Sequence, residues 1–243
     1  MKVIGVIPVR YKSTRFPGKA LVKLKDRPII QWVYENAKKA SLDKVIIATD
    51  DERIFKTAQG FGAEVVMTSP KHRSGTERVA EVARGIKGEI FVNIQGDEPF
   101  LKPEMIDFLV NNFIPDRKAD MGTLATYIKD KNDLESPDVV KVVFAKDGYA
   151  LYFSRFPIPY LRDKNIKGVR GQWYKHLGIY AYRRNALFKF VKLPWGRLEK
   201  MESLEQLRAL ENGMRIKVII TKKDSLGIDN PQDLKKAEEW LRK

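Results

Sequence analysis

The chain has 243 residues, enough for one large domain or one domain with an insertion, and 43% of them are hydrophobic, as in an ordinary soluble core. Lys and Arg number 46 against 31 Asp and Glu, a net charge of +15, and there is no cysteine. Disulfides, thiolate nucleophiles and cysteine-held zinc or iron–sulfur centres are therefore excluded. Only His72 and His176 offer imidazole, so a metal here is expected to be a hard ion on carboxylates.

Residues 2–9 are a nearly continuous apolar run, the pattern of a strand buried on both faces. The run stops at Arg10 without a cleavage site, and no apolar stretch nears the roughly 20 residues of a membrane span. The expectation is a cytoplasmic protein with no membrane partner. A helix is predicted over 28–40, with Pro28 at its first position. A buried strand follows at 44–49, then a helix at about 51–60 capped by Asp50-Asp51 and ended by Gly60 or Gly62. Residues 64–67 read as a strand, 76–86 as a helix capped by Ser74 or Thr76, and 89–95 as a strand. A helix then starts at Pro103 and runs to about 113. This alternation predicts an α/β fold with a mostly parallel sheet flanked by helices.

After residue 120 the rhythm changes. Short strands are expected at 121–128, 139–145 and 150–153, a Pro- and charge-rich excursion at 154–171, and a strand at 173–182. Helices near 184–192 and 202–211 follow, then a strand at 215–221 and a helix from Pro231 to about Leu241 capped by Asn230. The chain reads as a single domain, 1–243, with a β-rich insertion at about 121–175. Phe153, Phe156, Tyr160 and Trp173 in that insertion suit either a homodimer surface or a small second core.

The excess positive charge has three readings: a nucleic-acid partner, a small polyanion, or a charged surface of the kind found with few Asn and Gln in proteins from hot environments. No nucleic-acid-binding motif or isolated basic tail is present and acids are spread throughout, so no nucleic-acid partner is expected. The loop after the first strand places Arg10, Lys12, Arg15 and Lys19 within ten residues, with no acid before Asp26. Such a loop lies where open parallel sheets bind ligands. Arginine forks and a close-approaching Gly18 suit a polyphosphate, although a solvated basic loop is the plainer alternative. It is neither a Walker A loop nor a Gly-x-Gly fingerprint.

Gln95-Gly96-Asp97-Glu98-Pro99 ends a buried strand, and Gly227-Ile228-Asp229-Asn230-Pro231 precedes the last helix. Asp97 and Asp229 beside a phosphate cradle are candidate Mg2+ ligands. Glu98 can instead cap a turn, and Asp229 a helix. His72-Arg73-Ser74-Gly75-Thr76-Glu77-Arg78 opens a helix whose free N–H groups favour anions; its Ser and Thr are equally what a cap requires. His176 shares a strand face with Tyr174, Gly178 and Tyr180, as a ligand or as a structural residue. Glu202 and Gln206, four apart on one expected helix, can bind hydroxyls or lie on an exposed face.

Taken together, these motifs resemble the 3-deoxy-manno-octulosonate cytidylyltransferase family, the CMP-Kdo synthetases of lipopolysaccharide synthesis. The resemblance rests on 9–19, 72–78, 93–99, Ser154-Arg155-Phe156-Pro157-Ile158-Pro159, 176–182 and 227–234, in order along essentially the whole chain. Glu77 stands where members often carry Asp, and Asn230 where Thr is frequent. The resemblance implies a Rossmann-like nucleotidyltransferase fold with a β-rich dimerisation insertion, a homodimer, Mg2+, and the reaction CTP + Kdo → CMP-Kdo + diphosphate. By position it implies Arg10, Ser13, Arg15, Lys19, Arg73, Ser74, Arg78 and Gln95 for the nucleotide. Asp97 and Asp229 would take the metal, and Arg10, Lys19 and Asp97 the chemistry. Gln95, Arg155, His176, Tyr180, Glu202 and Gln206 would take the sugar acid. A related cytidylyltransferase acting on a sialic acid or a sugar-alcohol phosphate shares the nucleotide half, so residues 150–206 must discriminate.

Overall fold

A computed structural model describes residues 1–12, 16–163 and 172–241. In chain order the first elements are β1 (Val3–Val9), β2 (Lys23–Leu24), β3 (Arg27–Pro28), α1 (Ile29–Lys38), β4 (Lys44–Thr49), α2 (Glu52–Gly60), β5 (Val65–Met67), α3 (Gly75–Gly85), β6 (Ile90–Asn93) and α4 (Pro103–Phe113). There follow β7 (Met121–Tyr127), α5 (Lys131–Glu135), β8 (Lys141–Phe144), β9 (Ala150–Ser154), β10 (Tyr174–Arg183), α6 (Arg184–Lys192), α7 (Arg197–Glu202), α8 (Gln206–Glu211), β11 (Ile216–Ile220) and α9 (Pro231–Trp240). No helix among the described residues is long and apolar enough to cross a membrane.

The chain forms two compact units. The first comprises Met1–Phe108, Ala181–Val191 and Ser225–Lys243, the second Leu109–Tyr180 and Lys192–Asp224. In the first unit β1 pairs in parallel with both β4 and β6, and β4 with β5, giving the order β6-β1-β4-β5. Val6, Ile7, Ile46, Ile47, Phe91 and Val92 have at most traces of exposed surface, as strands covered on both faces require. Helices α1, α2 and α3 pack on β1 and β4. Their starts follow local chemistry. Asp51 caps α2 by accepting the Arg53 N–H, and Ser74, not Thr76, caps α3. Pro28 stands just before α1, at the cap position.

In the second unit β7 pairs in parallel with β11, while β8 runs antiparallel to β9 and β10. Its core includes Phe113, Leu124, Val142, Phe153 and Leu177. Residues 121–175 fall within this unit. Of the aromatic residues there, Phe153 is in the core, whereas Phe156 and Tyr160 are 71% and 80% exposed. The helix expected over 202–211 is two helices. Ser203 takes a left-handed conformation (φ 52°) and ends α7, and α8 starts afresh at Gln206. Glu202 and Gln206 therefore do not share a helix face, and Gln206 is buried.

Candidate active site

The site opens where β1 and β6 part. Their pairing ends at Val6 opposite Asn93, after which the Ile94 N–H donates to the Val6 carbonyl. Backbone groups alternate sides along a strand, so residue 8 faces the same way as Val6, towards a partner that is no longer there. Pro8 has no N–H to strand at that position. Gly96 then approaches so closely that a Cβ on it would meet Val9 Cγ2 at 2.8 Å and Pro8 O at 3.4 Å. The result is a cavity of about 360 Å³ at the carboxyl edge of the parallel strands. Its walls include Arg10, Lys12, Lys19, His72, Ser74, Arg78, Gln95, Asp97 and Asp229, all in the first unit.

Lys19 is the centre of the acidic side. Its ammonium pairs with Asp97 and lies 3.0 Å from Asp229 Oδ1. The two acids are brought together by the backbone, because the Ile228 N–H donates to the Asp97 carbonyl at 2.8 Å. Asn230, not Asp229, caps α9, accepting from the N–H groups of Gln232 and Asp233. The Asp229 carboxylate is thereby left to the cavity. Burial opposes charge on Lys19, but Asp97 and Asp229 outweigh it and hold the ammonium above the ordinary lysine value.

These carboxylates also suit a hard divalent cation: they present oxygen donors, and they already share one positive charge. Among the described residues no group of three or more acids or histidines is placed to hold a metal ion. A magnesium ion here would take Asp97 and Asp229 from the protein and the rest of its shell from phosphate and water.

The opposite wall is the N-terminus of α3. A Cβ on Gly75 would lie 3.1 Å from Pro8 Cγ, so the first turn of the helix is pressed against the end of β1. Its unshared N–H groups and the helix dipole favour an anion. Arg78, 3% exposed, reaches this wall and is fixed by Asp50, with Nη2 3.0 Å from Oδ2, and by the Thr68 hydroxyl. The sequence pattern marks Asp50 and Asp51 together as cap candidates. The cap is Asp51, and Asp50 anchors the arginine. His72 also lines the cavity. It is held between Glu81, through Nε2, and Glu77, 3.7 Å from Nδ1. The sequence signal that marks it is its place in the 72–78 motif.

Arg10 and Gln95 are on the cavity wall. Arg73 is half-exposed and forks onto Glu77 Oε1 at 2.8 and 2.9 Å. Ser13 and Arg15 lie outside the described residues.

Arg155, His176, Tyr180, Glu202 and Gln206 belong to the second unit. There Glu202 accepts from the Ser154 hydroxyl at 2.7 Å and the Arg155 N–H at 2.9 Å, and Arg155 Nε donates to the Glu202 carbonyl at 2.8 Å. His176 Nε2 is 2.9 Å from Thr123 Oγ1, and its ring stands 5.3 Å from that of Tyr180 and 5.1 Å from that of Phe153. Desolvation pushes the His176 imidazole down to about 3, so it is neutral near pH 7. Beneath this region Lys141 is fully buried, and its ammonium donates to the carbonyls of Ser136 (2.8 Å), Val139 (2.6 Å) and Arg155.

The cytidylyltransferase family model matches residues 4–216. The 3-deoxy-manno-octulosonate cytidylyltransferase of Thermodesulfovibrio yellowstonii is 53% identical, covering 99% of this chain and 98% of the relative. That of Geobacter sulfurreducens is 48% identical over the full length of both. Among solved structures, a CMP:2-keto-3-deoxy-manno-octonic acid synthetase complexed with CTP superposes with a TM-score of 0.92 at 38% identity, covering 100% of this chain and 99% of that one. A cytidylyltransferase from Leptospira borgpetersenii, 17% identical with a TM-score of 0.67, shares the fold over 100% of this chain and 87% of its own. With a cavity that sets Lys19 between two carboxylates and near-complete relatives at about half identity, the chain belongs to the 3-deoxy-manno-octulosonate cytidylyltransferase family.

Proposed function

We propose that the protein transfers CMP from CTP to 3-deoxy-D-manno-octulosonate (Kdo), releasing diphosphate and supplying CMP-Kdo for lipopolysaccharide synthesis. The observation that carries this reading is the meeting of Lys19, Asp97 and Asp229 in one cavity, in a chain 38% identical to a synthetase complexed with CTP. The anomeric hydroxyl oxygen of the sugar acid attacks the α-phosphorus in line. The bond from that phosphorus to the β-phosphate bridging oxygen breaks, diphosphate departs, and the hydroxyl proton passes to solvent. Such a transfer asks the protein mainly to position reactants and offset charge.

Arg10 and Lys19 offset the charge that grows on the departing diphosphate. The α3 N-terminus, Ser74 and the fixed Arg78 guanidinium receive the rest of the nucleotide, with Ser13, Arg15 and Arg73 as further contacts. Asp97 and Asp229 would hold Mg2+, which when bound neutralises phosphate oxygens. Gln95, Arg155, His176, Tyr180, Glu202 and Gln206 are assigned to the sugar acid.

The chain acts as one nucleotidyltransferase domain, 1–243, with the stretch at about 121–175 as its inserted dimerisation element. Exposed Phe156 and Tyr160 support a homodimer, and the reaction runs in the cytoplasm with its nucleotide substrate. The test is diphosphate release from CTP with Kdo, with and without Mg2+, beside a panel of other sugar acids. Release that depends on Kdo and Mg2+ is expected. Turnover with a different acid alone would reassign the acceptor.

A further inference from the structure

The basic loop is closed at its base. The Gly18 N–H donates to the Tyr11 carbonyl at 2.9 Å, so the two residues just inside Arg10 and Lys19 are tied across the loop. Gly18 has φ +71°, and a Cβ on it would lie 2.9 Å from Tyr11 Cε2 and Cζ. Only glycine combines that backbone conformation with ring contact at that distance. On the Tyr11 ring lies the guanidinium of Arg53, its Cζ 3.3 Å from the ring centroid.

Arg53 is itself held by a fork. Its Nε is 3.0 Å from Asp51 Oδ1 and its Nη2 is 2.7 Å from Oδ2. Asp51 in turn is fixed as the cap of α2. The fork gives the Arg53 cation its own counter-charge, and neither Tyr11 nor Arg53 is among the cavity-lining residues. A role as phosphate ligand therefore falls to other side chains.

We propose that the Tyr11–Arg53 stack, anchored by Asp51 on α2, is a latch that positions Arg10 and Lys19 at the two ends of the basic loop for a nucleotide triphosphate. The inference rests on the CTP reading of the cavity and adds to it a pair of positioning residues that touch no substrate. Asp50 and Asp51 then have parallel tasks at the end of β4: the first fixes Arg78 in the cavity wall, the second fixes the arginine that holds the loop.

The test compares wild type with Arg53→Met, Tyr11→Leu, Arg53→Lys and the Arg53→Met/Tyr11→Leu double variant. Each of the first two is expected to raise the KM for CTP roughly 2- to 5-fold, the scale of an exposed cation–π contact, with the KM for the sugar acid unchanged. Arg53→Lys keeps a cation on the ring and recovers part of the loss. The double variant is no worse than the poorer single one, because both remove the same contact. In parallel, hydrogen exchange at the Gly18 amide, measured without nucleotide, is faster in both single variants than in wild type. Unchanged exchange, or single effects that multiply in the double variant, would overturn the latch. A wild-type protein that turns over no CTP, with exchange altered as expected, would overturn the CTP reading and leave the latch standing.

Discussion

Lys19 Nζ lies 3.0 Å from Asp229 Oδ1 across 210 positions of sequence, and the same ammonium pairs with Asp97. One flexible cation thus joins the loop after β1 to the loops that follow β6 and precede α9. Replacing it removes the counter-charge of two neighbouring carboxylates and, on the proposed reading, a hydrogen-bond donor to phosphate. Lys19→Ala is expected to lower kcat/KM roughly 100-fold, the scale of losing one donor to developing charge. Steady-state kinetics with CTP varied checks this, and an unchanged kcat/KM would remove Lys19 from the chemistry.

Asp97 separates side-chain chemistry from architecture. Its carbonyl, not its carboxylate, accepts the Ile228 N–H at 2.8 Å and so carries the link that places Asp229. Asp97→Asn keeps that link. Turnover is expected to vanish while the circular dichroism spectrum and melting midpoint stay near wild type. Near-normal activity at saturating Mg2+ would take Asp97 out of the metal site.

Elements with strong local signals were readable from sequence. Proline at position 103 and a long apolar stripe define α4 as Pro103–Phe113, and Asn230 marks the start of α9. Asp97 and the 10–19 loop were legible because they follow strand ends, where parallel sheets bind ligands, and Asp229 because it stands just before the last helix. The rest required three-dimensional information. Helix α5 is five residues long with none buried, so it carries no periodicity. The break at Ser203 depends on a left-handed non-glycine residue, which sequence pattern disfavours. The Asp50–Arg78 pair was hidden because Asp50 adjoins a genuine cap. The Tyr11–Arg53 stack joins residues in separate elements without any motif. Lys141 lies in the apolar run Val139-Val140-Lys141-Val142-Val143, and its burial is made possible by carbonyls that sequence does not reveal.

That lysine makes a stability prediction. Burial and the nearby Arg155 hold its ammonium below the ordinary lysine value, with Glu202 opposing them. Its three carbonyl acceptors all lie within the second unit. Lys141→Met matches the chain's length but leaves those carbonyls without their donor. A loss of about 2–4 kcal/mol is expected, the range for stripping partners from buried polar groups. Urea unfolding checks it: a midpoint equal to wild type would mean that water or other donors replace the ammonium fully.

His176 gives the molecule a dependence on pH with a definite sign. Thr123 Oγ1 is 2.8 Å from the Ile179 carbonyl and 2.9 Å from His176 Nε2. A hydroxyl has one proton; given to the carbonyl, it leaves the oxygen to accept from Nε2–H. Desolvation holds the folded value at about 3, against about 6.5 in an unfolded chain. Below pH 6.5 the unfolded state takes up a proton that the folded state refuses, so stability is full above that value and falls as pH drops towards 3. The residue keeps part of its surface in solvent, so the slope is shallower than the limit of about 1.4 kcal/mol per pH unit for one proton. His176→Gln retains a donor for Thr123 but cannot titrate. Urea midpoints measured from pH 7 to 4 are expected to fall more steeply for wild type than for His176→Gln, and parallel curves would show that the imidazole protonates in the folded protein as readily as in the unfolded one.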